Sequence, residues 1–113
     1  MRAEVLKGHL DGLLLAALET GPRHGYAVRE SLRELTDGAF DLPTGTIYPA
    51  LHRLERASYV TAEFRPSDTG GPRRRYYLLS ESGVRYLAER RAAWERFNGA
   101  VGALWKPDRG GAK

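Results

Sequence analysis

Two groups of residues carry side chains suited to a polyanion. Arg73, Arg74 and Arg75 stand together between a Gly-Gly-Pro bend and Tyr76-Tyr77. Guanidinium groups fork onto phosphate oxygens or enter a narrow minor groove. The second group lies in "TGTIYPALHRLER", residues 44–56. At 100° per residue, Gly45, Pro49, His52, Arg53 and Arg56 fall opposite Ile47, Leu51 and Leu54, with Thr46 and Tyr48 flanking. That outer face holds hydrogen-bond donors, a phenol and two cations, with no aliphatic side chain. A helix opening on Thr44, Gly45 and Thr46 also offers free N–H groups and a positive dipole end, which suit a phosphate. Gly45 lets another backbone come close. Arg53 and Arg56 taken alone fit a solvated helix face, and one arginine on a strand fits edge protection. Three adjacent arginines exceed what an edge needs, so the two groups together point to DNA.

Other chemistries lack their residues. His9, His24 and His52 sit on separate elements, none paired at i, i+4, and suit surface or capping roles. The chain has no cysteine, which removes thiolate zinc sites and thiol nucleophiles. No P-loop, dinucleotide fingerprint or nucleophile elbow occurs. No enzyme and no cofactor are expected. The net charge of +4 permits a polyanionic partner, and a hydrophobic share of 42% excludes general disorder. At 113 residues the chain reads as one domain. Its longest apolar run, "GLLLAAL" at 12–18, is too short to span a bilayer. With no secretion signal evident, the expected location is the cytoplasm.

The elements that would position these groups follow from periodicity. Leu6, Leu10, Leu13, Leu14, Ala17 and Leu18 predict a helix over 4–20, stopped by Gly21-Pro22. A second helix is expected from His24 to Thr36, with Val28, Leu32 and Leu35 inward and Gly38 ending it. Either Thr44 or Thr46 caps the third. With Thr46 as cap, Pro49 falls in the first turn, where no donor is missed; with Thr44, one backbone bond is lost. Residues 60–64 and 74–79 read as strands around the turn-rich "RPSDTGGP". On the second strand Arg73, Arg75 and Tyr77 share one face, and Arg74 and Tyr76 the other. Tyr76 and Tyr77 suit core and cross-strand packing. From Ser80 or Glu81 a last helix runs to Trp105, about 37 Å at 1.5 Å per residue. The fold expected is therefore mainly α with a small β-hairpin. A winged helix-turn-helix occupies 1–80, a long C-terminal dimerisation helix 81–105 and a disordered tail 106–113. In that outline the third helix faces a major groove.

Three segments resemble the PadR family of bacterial transcriptional regulators: "HGYAVRESL" at 24–32, "TGTIYPALHRLE" at 44–55 and "GGPRRRYYLLSESG" at 70–83. The likeness covers nearly the whole chain, with motifs in order. A single helix after the wing is similar to the compact LmrR-like subfamily. The resemblance implies a homodimeric, ligand-responsive repressor on an inverted-repeat operator. It suggests that Thr44, Thr46, Tyr48 and Arg53 touch DNA, that Tyr26 lies near the backbone, and that Arg73, Arg74 and Arg75 lie in the wing. One departure is Ser58, where the family usually has glycine, so the turn there is in question.

In the last helix Leu87, Trp94 and Val101 recur every seven residues, with Phe97 and Leu104 beside them. Such a stripe is expected to pack on a partner's first helix as well as on its own subunit's, and Leu6, Leu10, Leu87, Trp94, Val101 and Leu104 are the expected dimerisation residues. By resemblance, Trp94 and its symmetry mate, with Phe97, would sandwich a small planar aromatic effector. Equally, Trp94 and Phe97 serve as ordinary dimer anchors. Arg90 and Arg91 nearby favour a neutral or anionic compound over a cationic one. A protein-interaction module, docking an acidic partner through the wing without sequence-specific DNA binding, is the competing reading.

Overall fold

A computed structural model describes residues 8–66 and 70–106 of the chain. Leu6, the turn tip 67–69 and the tail from 107 onward lie outside them.

Helix α1 (Leu10–Ala17) buries Leu14, Leu15 and Ala17. It ends earlier than its periodicity predicts. Leu18 N–H bonds to Leu15 and Glu19 N–H to Ala16, so the last turn tightens to i→i−3 bonding before Gly21 at φ +146°. Strand β1 (Arg23–His24) leads directly into α2 (Gly25–Leu35), where the His24 ring Nδ1 caps by accepting from Ala27 N–H at 3.1 Å. The capping role expected of a histidine is thus filled at the start of α2. Gly38, at φ +84°, closes the other end by donating to Arg33 carbonyl at 2.8 Å. Leu35 departs from the expectation. It is 80% exposed, at the end of α2, and borders a shallow 340 Å³ groove with Tyr26.

Helix α3 (Thr44–Arg56) begins earlier than either expected cap. Pro43 stands at the cap position, its carbonyl accepting from Thr46 and Ile47 N–H groups, and neither threonine side chain caps. Pro49 therefore lies past the first turn and cannot donate to the carbonyl of Gly45, an exposed residue. Ile47, Ala50, Leu51 and Leu54 are buried as the periodicity requires.

The hairpin of β2 (Val60–Arg65) and β3 (Arg74–Leu79) runs in register from Val60 opposite Leu79 to Arg65 opposite Arg74. The sheet has one strand more than expected. β1 pairs with β3, Arg23 opposite Tyr77 and His24 opposite Tyr76, giving the order β1-β3-β2. Two residues are too few to show a period.

Helix α4 (Glu81–Trp105) is capped by Ser80, whose hydroxyl accepts from Gly83 N–H at 3.0 Å. Only Gly83 and Leu87 are buried along it. Leu87, assigned above to a dimer contact, is 4% exposed within its own subunit's core, beside Leu14, Leu15, Leu51 and Tyr77. Beyond it the helix leaves the domain, which gives the molecule its 63 × 28 × 23 Å outline. No helix among the described residues is long and apolar enough to cross a membrane.

Between α3 and β2, Ser58 takes the left-handed conformation at φ +67°, normally a glycine position. The turn survives because Tyr59 N–H reaches Leu54 carbonyl at 3.0 Å. The Ser58 carbonyl then collects the Ser80 and Ser82 hydroxyls at 2.6 and 2.8 Å. A left-handed serine costs about 1–2 kcal/mol, of which glycine's greater unfolded-state entropy returns part. Ser58→Gly is expected to stabilise the fold by about 0.5–1 kcal/mol, read as a higher midpoint in urea with an unchanged slope.

Candidate nucleic-acid interface

The outer face of α3 is open. Thr44, Gly45, Tyr48, His52, Arg53 and Arg56 are exposed and Thr46 is half-buried. What lies beneath that face sets its shape. The Tyr48 ring lies across the start of α2 so closely that a Cβ on Gly25 would stand 2.2 Å from its Cε1. Gly25 and Tyr48, from two of the family-like motifs, are therefore one packing unit. Next to them Tyr26 is exposed, with the Arg29 guanidinium 5.8 Å from its ring centroid. Arg29 also donates to Leu42 carbonyl at 2.9 Å and to Asp41 at 3.3 Å, which fixes the loop that launches α3.

The cations divide into held and open ones. Arg53 bonds to Asp11 of α1. Arg56 makes no ion pair among the described residues. In the wing, Arg73 donates to Phe64 carbonyl at 3.2 Å, and Arg74 lies 3.2 Å from His24 Nε2. Both arginines remain exposed. His24 thus caps α2, meets Arg74 and packs edge-on to Tyr76 at 5.4 Å, joining α2 to the wing. Arg75 differs from its two neighbours. On the same face as buried Tyr77, it is half-buried and donates to Glu55 at 2.6 Å. That bond to Glu55 keeps the guanidinium more firmly protonated than usual. Burial pushes the Tyr77 phenol above its ordinary value, with Arg75 opposing.

The structure thus brings Tyr26, Thr44–Arg56 and the wing arginines into one connected set. Sequence reasoning missed Gly25, Asp11 and Glu55, the groups that hold the cations and the phenol in place. The two carboxylates were not legible because each meets its arginine far along the chain. Gly25 had a signal, since glycine early in a helix needs a reason. Among the described residues no cluster of His, Asp and Glu could hold a metal.

Away from this face, a groove of about 760 Å³ runs between α1 and α4, lined by Gly12, Leu13, Ala16, Leu87, Trp94 and Phe97 among others. Trp94 is 48% exposed and Phe97 59%, with His9 edge-on to the indole at 5.5 Å. Arg91 is committed to Glu19 at 2.8 Å, and that hydrogen bond lowers the Glu19 carboxyl below its usual range. Arg90 rests 5.8 Å from the Tyr86 ring centroid. Val101 is half-buried and Leu104 exposed.

Similar proteins share this architecture. A transcriptional regulator from Clostridium thermocellum superposes with a TM-score of 0.81 at 26% identity, covering 94% of this chain and 99% of that one. A PadR-like transcriptional regulator from Bacillus cereus gives 0.80 at 26% identity, covering 91% and 97%. In sequence, the transcriptional regulator YqjI of Escherichia coli is 31% identical over 84 residues, 74% of this chain and 38% of that protein. The PadR-like family of transcriptional regulators matches residues 14–89, from within α1 through the wing to the first turns of α4. With that match and those superpositions, the chain belongs to the PadR-like family of transcriptional regulators.

Proposed function

We propose that the chain is a ligand-responsive repressor that binds an inverted-repeat operator as a homodimer. The convergence of Tyr26, the α3 outer face and the exposed Arg73 and Arg74 on one connected surface carries this reading. In it α3 enters the major groove with Thr44, Gly45, Thr46, Tyr48 and His52 toward base edges and phosphates, flanked by Arg53 and Arg56. Arg73 and Arg74 follow the backbone from the wing. Residues 1–80 form the DNA-binding unit, and α4 pairs two subunits through Trp94, Val101 and Leu104, together with Leu10 of α1. Trp94, Phe97, Leu104 and Trp105 support the pairing, since their apolar surface is exposed in a single subunit. A small planar aromatic effector fits the groove beside Trp94 and Phe97. Because Arg91 is tied to Glu19, Arg90 supplies the bias toward neutral or anionic compounds.

Selection of bound duplexes from a randomised pool by the purified protein tests the reading. The expected result is one palindrome with half-sites about 34 Å apart, bound by a particle of twice the 12.6 kDa subunit mass. A single subunit in solution that prefers no duplex would overturn it, and would leave the wing as a protein-docking surface.

Asp11 competes with phosphate for Arg53 in this reading. Asp11→Asn is expected to tighten binding to the selected duplex about threefold at low salt. The slope of log affinity against log salt should steepen by close to one unit, measured by fluorescence anisotropy across a salt series.

A further inference from the structure

Arg75 is held in a way that a phosphate contact would have to undo. Its Nη2 donates to Glu55 Oε2 at 2.6 Å across 20 positions of sequence. The guanidinium stands 5.9 Å from the Phe64 ring centroid and 5.8 Å from that of Tyr77. Its Nε is buried with no hydrogen-bond partner, although 40% of the side chain stays exposed. Glu55 lies in the last turn of α3, and Arg75 lies on the middle strand of the sheet, opposite Phe64. An unpaired carboxylate at that point would repel a duplex. Paired, it joins the recognition helix to the outer half of the wing.

The angle of that junction matters. From Val60 to Arg65 the ribbon extends about 17 Å at 3.4 Å per residue. A tilt of about 10° at its base moves the outer end by about 3 Å, so a wing loose at that angle must be ordered again before its arginines meet phosphate. Farther out than Arg75, the wing's cross-strand pairing holds β2 to β3 and not to α3.

We propose that Glu55 and Arg75 form a clamp that sets the angle between the recognition helix and the wing, with Arg75 a positioning residue and the phosphate contacts left to Arg73 and Arg74. This revises the part expected of Arg75 from sequence, and it rests on the DNA-binding reading above.

Glu55→Gln separates the two roles of Arg75, because it removes an anion from the DNA face without changing shape. If Arg75 were a phosphate contact, loss of its competitor would tighten binding. The clamp requires the opposite sign. For the duplex that the wild-type protein selects, affinity should fall roughly five- to tenfold with the salt slope unchanged. Arg75→Gln should do the same, and the double variant should cost no more than either alone. Tighter binding by Glu55→Gln, or loss of a unit of salt slope in Arg75→Gln, overturns the proposal.

A second measurement needs no DNA. The chain has no cysteine, so nitroxides on Ala57→Cys and Gly71→Cys report the helix-to-wing distance directly. Glu55→Gln should broaden that distance distribution, and an unchanged distribution also overturns the clamp. Should the wild-type protein select no duplex, the DNA reading fails by itself while the spin labels still judge the junction.

Discussion

Gly83→Ala is expected to lower the melting temperature by roughly 12 °C or more, followed by circular dichroism. A Cβ at Gly83 would sit 1.9 Å from the Tyr59 carbonyl oxygen and 3.0 Å from its carbon. Neither side can yield cheaply. The Tyr59 carbonyl accepts from Ser80 N–H at 3.1 Å, and Tyr59 N–H bonds to Leu54 carbonyl at 3.0 Å. The Tyr59 ring is stacked on Tyr86 at 4.1 Å with an interplanar angle of 9°. Relief must come from moving the first turn of α4 off the end of α3, an overpacking cost of about 3 kcal/mol. For a domain of this size each kcal/mol moves the midpoint by about 4–8 °C. The sign is informative, because helix propensity alone favours alanine over glycine by about 1 kcal/mol. A rise in melting temperature would mean that α4 does not pack on Tyr59 as described.

Gly25→Ala should behave differently, although its clash is nearly as short. The atoms in the way are Cε1, Cζ and the hydroxyl of Tyr48, at 2.2, 2.6 and 2.9 Å, the far end of a side chain that can swing outward. The expected result is a melting temperature within about 3 °C of wild type. Affinity for the selected duplex should fall about tenfold, equivalent to about 1.4 kcal/mol, with a changed base preference because a phenol on α3 has moved. Tyr48→Ala should remove most of the additional effect, so the double variant would bind no worse than Tyr48→Ala. Unaltered binding by Gly25→Ala would show that the position of Tyr48 is not used in recognition.

Much of this architecture is legible in the chain because its signals are local. Ile47, Leu51 and Leu54 mark the buried side of α3, and so the open side as well. The alternation through 74–79 correctly separates Arg75 and Tyr77 from Arg74 and Tyr76, and α4 opens at Ser80 and Glu81 as expected. Three motifs sufficed to indicate a family of transcriptional regulators rather than enzymes, and the match over 14–89 agrees.

What escaped the reading depends on tertiary contact. β1 exists because Arg23 and His24 lie beside Tyr77 and Tyr76, not because two residues favour a strand. Pro43 opens α3 in place of either threonine, since its carbonyl reaches both Thr46 and Ile47. Leu87 has the spacing of an interface stripe yet fills its own core, because α4 crosses α1 there before leaving the domain. The division of the cations depends on Asp11 and Glu55, whose partners lie 42 and 20 positions away. Periodicity reports which side of an element is apolar. It does not report which carboxylate a given arginine will find.

The two serine hydroxyls that converge on the Ser58 carbonyl tie the start of α4 to the turn that follows α3, so the helix is a rod anchored there. From Ser80 to Trp94 the rod extends about 21 Å at 1.5 Å per residue. A sideways push of about 2 Å at the indole would swing it by about 5° about that anchor. The doubly hydrogen-bonded oxygen, one residue past the α3 cap at Ala57, is where such a rotation would first be felt.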